Sequence, residues 1–288
     1  MLGASSGFAL MSTCVAAAHV RSPETHTLVS SFIRAIVNLL ALVVMTRGSR
    51  RLLIGDARVA LWIRGVTGAA SLLLYFAAID RTSAGEAAFL NNTSAFWVAA
   101  LAPVLLGEAT GGNTWIAIAG SIMGTALLGF PRADAGSSDW LGRAFGLTSG
   151  LTAALAYLSV RRAATTNAST VIVFYFTLLA TLTCVIGLPF VDARWPTDPL
   201  TWVLLGGAGL FATIAQVLMT GAYAIGPTAP LAAVAAATPL FTTALAITLL
   251  GQVPDGMAIA GMAVLTASGI GLPLLSSRNS VTRTGEAR

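Results

Sequence analysis

The chain contains no lysine, two cysteines and two histidines among 288 residues, and charged residues make up 9% of it. Each shortage removes a class of chemistry. A Walker A phosphate loop needs its lysine, so ATP-driven work by this polypeptide is excluded, and so is Schiff-base catalysis. Cys14 and Cys184 both fall inside apolar stretches, which leaves no disulfide framework and no metal-ligand cluster. No cofactor and no metal are therefore expected. Soluble domains carry about 25% charged residues; this chain, 56% hydrophobic with mean hydropathy +0.82, calls for lipid instead.

What fills the chain is apolar segments. They fall near 2–20, 27–46, 59–79, 83–106 and 114–130, then near 141–160, 169–190, 199–223, 228–250 and 256–275. A membrane span needs ~20 such residues, so ten spans with short connections use nearly all the length. That leaves no room for a soluble catalytic or nucleotide-binding domain. The two groups of five register on each other. Gly3-Ala4-Ser5-Ser6-Gly7 recurs as Gly146-Leu147-Thr148-Ser149-Gly150 after 143 positions, and Leu106-Gly107-Glu108 as Leu250-Gly251-Gln252 after 144. An odd number of spans per half turns the second half upside down. The expected fold is thus an all-α integral membrane protein of ten transmembrane helices, built as two inverted five-helix repeats (1–132 and 140–275) with a disordered cytoplasmic tail at 276–288. Such repeats place the substrate site at their interface near the midplane, and transport proceeds by alternating access.

All sixteen basic residues are arginine, giving a net charge of +5 that is no nucleic-acid signal because the arginines sort by loop. With the N-terminus in the cytoplasm, nine lie inside, among them Arg47, Arg50, Arg51, Arg58, Arg161 and Arg162. Five lie outside, Arg21, Arg81, Arg132, Arg143 and Arg194, together with Glu24, Asp134, Asp139, Asp192 and Asp198. The positive-inside rule then predicts cytoplasmic N- and C-termini. The Arg-rich 47–58 loop faces an acidic counterpart at Asp192 to Asp198, as inversion requires.

Several motifs have plainer readings. Gly3-x-Ser5-x-Gly7 fits the nucleophile-elbow pattern, and His19 and His26 exist, so an intramembrane hydrolase is one alternative. That motif is catalytic on a strand-to-helix turn, whereas here it opens an apolar helix, where small residues four apart favour close helix packing. Gly120 and Gly124 repeat the spacing. Ala16-Ala17-Ala18 imitates a signal-peptide cleavage site, but the repeat needs this segment as helix one. The glycosylation patterns at Asn91, Asn92 and Asn167 fall in a span or a cytoplasmic loop and are read as chance.

Leu72-Leu73-Leu74-Tyr75-Phe76-Ala77-Ala78-Ile79 runs into Thr82-Ser83-Ala84-Gly85-Glu86-Ala87-Ala88-Phe89-Leu90, then Ala102-Pro103-Val104-Leu105-Leu106-Gly107-Glu108, Trp115 and Gly124. The second half repeats this through Tyr223-Ala224-Ile225-Gly226-Pro227, Thr238-Pro239-Leu240-Phe241 and Leu249-Leu250-Gly251-Gln252. Together with Arg34 and Arg64, these residues resemble the drug/metabolite transporter superfamily, in its ten-span EamA-like branch. By length and layout the nearest likeness is to bacterial exporters, including aromatic amino acid exporters of the YddG type. The resemblance implies a bacterial inner-membrane exporter of small metabolites, amino acids including aromatic ones, acting as a monomer or weak homodimer. Export of cationic drugs is the alternative within transport. Gln252 departs from the family's usual Glu.

Polar groups at membrane depth face a cavity or a partner helix. Asn91, Asn92 and Ser94 sit at the middle of the fourth segment, and an amide can both donate to a carboxylate and accept from an ammonium. Pro239 interrupts the ninth segment beside Thr238. Gln216 and Met219 on the eighth, Tyr75, Tyr157 and Tyr175 on the third, sixth and seventh, and Trp97 and Phe211 as stacking surfaces complete the substrate-binding candidates. Spans one, three, four, six, eight and nine are expected to line the cavity, with five and ten bracing it or making a dimer contact. Tyr223 reads as interfacial belt, as does His19. Arg64 and Glu108 read as a structural pair near the cytoplasmic side. Glu86 is the sole carboxylate clearly inside a span; a tie to Arg34 would hold it ionised, favouring substrate-gradient-driven export over proton antiport.

Overall fold

A computed structural model of the chain describes residues 1–79, 81, 84–129, 140–235, 238–250 and 256–271. Among the described residues all regular structure is helical: α1 (Leu2–Arg21), α2 (Thr27–Met45), α3 (Arg50–Ile54), α4 (Val59–Ile79), α5 (Ala84–Asn92), α6 (Ser94–Leu106), α7 (Gly112–Gly129), α8 (Trp140–Ala163), α9 (Ser169–Gly187), α10 (Pro199–Ile225), α11 (Thr228–Ala235), α12 (Thr238–Leu250) and α13 (Gly256–Leu265), the last continued by a π-helical turn. The expected loop 131–139, Gln252 and the tail from 276 lie outside the described residues.

Among the described residues, six stretches are long and apolar enough to cross a membrane: Thr27–Met45, Val59–Ala78, Ala87–Leu106, Ser169–Phe190, Pro199–Ile225 and Thr228–Leu245. Large apolar side chains such as Val44, Val104, Ile186 and Ile225 stand more than half exposed. On a water-soluble protein that surface would be a liability; against lipid it is the ordinary solvation of a spanning helix. α1 and α8 are less apolar because their small residues meet other helices. A Cβ on Gly7 would sit 3.0 Å from Ala215 Cβ on α10, and one on Gly150 would meet the Leu90 carbonyl on α5 at 3.0 Å. The Gly3-x-Ser5-x-Gly7 motif is thus a packing face. The same device joins α7 to α13, where a Cβ on Gly124 would sit 2.9 Å from the Gly261 carbonyl.

The packing pairs are specific. α1 lies on α10 and α12, and α8 on α4, α5 and α6; α2 lies on α10, and α4 on α9; α2 also meets α9, and α7 meets α13.

One of the expected continuous helices is broken, and a second carries a proline. Between α5 and α6, the Thr93 N–H and hydroxyl both bond the Leu90 carbonyl, at 3.2 and 2.6 Å. Between α11 and α12, Pro239 cannot donate to the Ala235 carbonyl four residues back, and the Thr238 hydroxyl takes that carbonyl instead at 2.6 Å. A second proline is compensated in the same way. Pro103 inside α6 leaves the Ala99 carbonyl unbonded, and the Thr110 hydroxyl donates to it at 2.9 Å.

Asn167 is 8% exposed and exchanges hydrogen bonds with Asp56, accepting from its N–H at 3.1 Å and donating to its carboxylate at 2.8 Å. Its glycosylation pattern is therefore sterically closed. Burial pushes the Asp56 carboxyl up, but hydrogen bonds from Thr166, Asn167 and Arg58 hold it below the usual carboxylate range. Gly55 turns this loop at φ +59°, and a Cβ there would collide with the Asn167 amide, so glycine is required on both counts.

Candidate functional site

The break at Thr93 and the Thr238-Pro239 pair flank a central cavity of about 510 Å³, within the few-hundred to 1,000 Å³ range of small-molecule sites. Phe8, Met11 and Ser12 reach it from one face of α1, at the i, i+3, i+4 spacing that places side chains together. Nine of the twelve substrate-binding candidates line it: Tyr75, Asn91, Asn92, Ser94, Tyr157, Gln216, Met219, Thr238 and Pro239. Asn91 donates Nδ2 to Ser149 Oγ at 2.9 Å, and Asn92 donates to Thr125 Oγ1 at 2.8 Å. Each amide is therefore oriented by a neighbouring helix while still facing the cavity. Thr125 brings the fifth segment, expected only to brace, into the lining.

Three candidates lie elsewhere. Trp97 packs edge-on against Phe96 at 5.3 Å and against a core cluster from α6, α7, α8 and α11, and it is absent from the cavity lining. Tyr175 donates its hydroxyl to the Ile54 carbonyl at 3.2 Å and meets Trp62 edge-on, which ties α9 to the 46–58 loop. Phe211 is half-buried on α10 and absent from the lining.

Tyr223, read from the sequence as interfacial belt, is instead fully buried. Its ring stacks on Tyr157 at 5.4 Å and 17°, and both rings line the cavity. The correction has a simple cause. Tyr223 lies one turn short of the end of α10, but α10 leans on α1 and α8 there, so its ring points into the bundle.

The Arg64–Glu108 pair does not form. Glu108 follows the left-handed Gly107 that ends α6, and its carboxylate accepts from Arg161 Nε at 3.0 Å and from the N–H and hydroxyl of Thr228, both at 2.8 Å. Arg161 also donates to the Ala224 carbonyl at 2.6 Å, and Arg162 donates to the Leu105 carbonyl. One carboxylate thus joins the ends of α6, α8 and α10 to the start of α11, at the end of the bundle where Met1 packs. Arg64 lies deeper, 2% exposed, on a face of α4 turned towards α9 and α10. It donates Nη2 to Gln216 Oε1 at 3.3 Å and sits 4.3 Å from the centre of the Phe176 ring. At the opposite end, Arg21 Nε bonds Asp198 at 2.8 Å, the Trp195 and Trp202 rings stack at 6.1 Å, and His19 Nε2 meets Ser30 Oγ at 3.3 Å. Arg34 Nη1 contacts Met11 Sδ at 3.2 Å. The Glu86 side chain, its expected partner, lies outside the described residues.

Sequence reasoning missed Phe8, Met11, Ser12 and Thr125. Ser12 and Thr125 carried a signal as polar residues in otherwise apolar helices, whereas Phe8 and Met11 carried none, because in such helices every face is apolar enough to point either way.

The model of the EamA-like transporter family matches residues 1–130 and again 140–272. The pseudopaline exporters of two Pseudomonas aeruginosa strains, UCBPP-PA14 and PAO1, are each 26% identical over 269 residues, covering 93% of both chains. A solved crystal structure superposes with a TM-score of 0.82 at 18% identity, covering 96% of this chain and 97% of the other, and so shares the fold. With a buried polar cavity ringed by apolar helices, and with family similarity along nearly its whole length, the chain belongs to the EamA-like transporter family and is a multi-pass membrane transporter rather than an enzyme.

Proposed function

We propose that this chain exports small metabolites across the bacterial inner membrane, amino acids including aromatic ones among them, by alternating access. The observation that carries the reading is the central cavity, lined by the fourth segment at its break and by Thr238 and Pro239 of the ninth. Interrupted helices at a transporter midplane put backbone and amide groups where cargo can touch them. The cavity combines amides (Asn91, Asn92, Gln216) with aromatic rings (Tyr75, Tyr157, Tyr223), a mixture suited to an ammonium, a carboxylate and an apolar side chain together. No carboxylate lines it among the described residues, which disfavours cationic drugs. The pseudopaline exporters are consistent with export as the direction of flow.

In this reading the ten spans form two inverted halves, 1–132 and 140–275. The packing pairs support that arrangement, because exchanging the halves maps the α1–α10 pair onto α8–α4 and the α2–α10 pair onto α9–α4. It maps α2–α9 and α7–α13 onto themselves. The termini are then cytoplasmic, and one chain encloses the whole path. In a background lacking Cys14 and Cys184, a cysteine at Arg51 is expected to react in intact cells only with permeant thiol reagents, and one at Asp192 also with impermeant ones. Equal reactivity at both would sink the inversion.

Counterflow of labelled amino acids in liposomes tests the function directly, with and without a pH gradient. Exchange without accumulation is the expected result; accumulation driven by the gradient would replace facilitated export with proton antiport. Asn91→Ala is expected to slow exchange about tenfold or more, because it removes both a cavity amide and the bond that fixes Ser149. Phe211→Ala, away from the lining, should leave exchange near the parental rate. Equal rates in both variants would remove Asn91 from the path.

A further inference from the structure

A second recess, about 130 Å³, opens beside the central cavity and shares Tyr75, Asn91, Tyr157 and Gln216 with it. Its back wall is Arg64, with Gly68 and Ser71 on the same helix. Arg64 enters about 8 Å into its span, counting 1.5 Å per residue from Val59. A cation at that depth is costly unless something answers its charge. Among the described residues no carboxylate does so. Its compensation consists of a 3.3 Å bond to the Gln216 carbonyl oxygen and the face of Phe176, and its Nε is buried without any hydrogen-bond partner. The space for this guanidinium is also specific, because a Cβ on Gly68 would collide with Nη1 and with the Phe176 ring. A purely structural arginine would be expected to saturate its donors on backbone carbonyls, as Arg161 does on Ala224.

We infer that this recess is an anion subsite that takes the carboxylate of the cargo, with Arg64 as the charge partner and the rest of the molecule lying in the central cavity. The inference rests on the export reading above and narrows its substrate class to carboxylates. The recess has the volume of about four waters at ~30 Å³ each, room that a carboxylate and its first carbon can fill. One guanidinium and one neutral amide balance a single negative charge. A phosphate dianion would leave charge uncompensated in the hydrocarbon interior. Arg34 borders a smaller recess that shares Phe176 and Gln216 with this one, so its charge adds to the same positive field. Arg64 lines the recess with a guanidinium whose Nε has no other partner, and a guanidinium can meet the two oxygens of a carboxylate with paired donors.

The test uses the purified full-length protein and matched probes: L-phenylalanine against L-phenylalaninamide, and benzoate against benzamide. Thermal unfolding in detergent reads binding, and counterflow in liposomes reads transport. The acids are expected to raise Tm saturably, with half-saturation about tenfold or more below that of the amides. Arg64→Gln should erase the difference, and Arg64→Lys should keep part of it. Where Arg64→Gln fails to fold, Gln216→Met is expected to weaken acid binding several-fold more than amide binding. The subsite is overturned if acids and amides act alike, if no acid shifts Tm, or if the variants keep the parental discrimination. Transport of amides as well as acids would leave export standing without the subsite. Acid binding without counterflow of any probe would do the reverse.

Discussion

Tyr223→Ala is expected to destabilise the detergent-solubilised protein by about 3–5 kcal/mol, the cost of emptying a buried aromatic site. Tyr223 is fully buried and stacked on Tyr157 between α8 and α10, so its removal takes away both packing and an aromatic pair. Tyr223→Phe separates ring from hydroxyl. The hydroxyl is buried with no partner, so the phenylalanine variant should be neutral or more stable by about 1 kcal/mol. Thermal unfolding of both variants checks this. Loss of stability in Tyr223→Phe would mean the hydroxyl is satisfied in the resting protein. Unchanged stability with lost counterflow would assign that hydroxyl to the cargo.

Glu108→Ala is expected to have the second largest effect, about 1–3 kcal/mol, because three donors from Arg161 and Thr228 lose one acceptor. The bonds join four helix ends at the Met1 end of the bundle, and a gating role predicts that the variant makes a cysteine at Ala235 in the cavity wall more reactive from that end. Unchanged reactivity would mean that the network braces the bundle without gating it. Acidity offers an independent check. Burial pushes the Glu108 carboxyl up, but the bonds from Thr228 and Arg161 outweigh it and hold the carboxyl below the usual range. A carboxyl depressed in the folded state contributes stability above its unfolded value, and that contribution is lost as pH falls through the folded value. The wild type should therefore lose stability faster than Glu108→Gln as pH drops below the ordinary carboxylate range.

Segment limits were largely legible in the chain. The stretch read at 59–79 is α4 (Val59–Ile79), and the one at 169–190 is α9 with its following turn to Phe190. Apolar length survives translation into structure because lipid demands it of each span alone. Rotation of the helices about their axes was not legible. Trp97 turns into a core and Tyr223 into the cavity, the reverse of their sequence readings, since hydropathy cannot choose a face when all faces are apolar. Partners across long separations were equally hidden. Glu108 was expected to meet Arg64 near the same end of the bundle, but Arg161 ends α8 beside it while Arg64 points towards Gln216, 152 residues away. The amides of the fourth segment could be found because an uncommon residue type at membrane depth needs no partner to be noticed.

The threonine-clasped break at Thr93 has a mechanical consequence. There the Leu90 carbonyl accepts from both the hydroxyl and the N–H of Thr93, so a bend at this turn leaves that carbonyl satisfied. α6 has 13 residues beyond that pivot, which makes it a lever of about 20 Å at 1.5 Å per residue. A swing of roughly 15° about Thr93 would carry its far end, next to Glu108, through about 5 Å on the same lever length. A small torsion at this fulcrum can thus be amplified into ångström-scale displacement at the mouth.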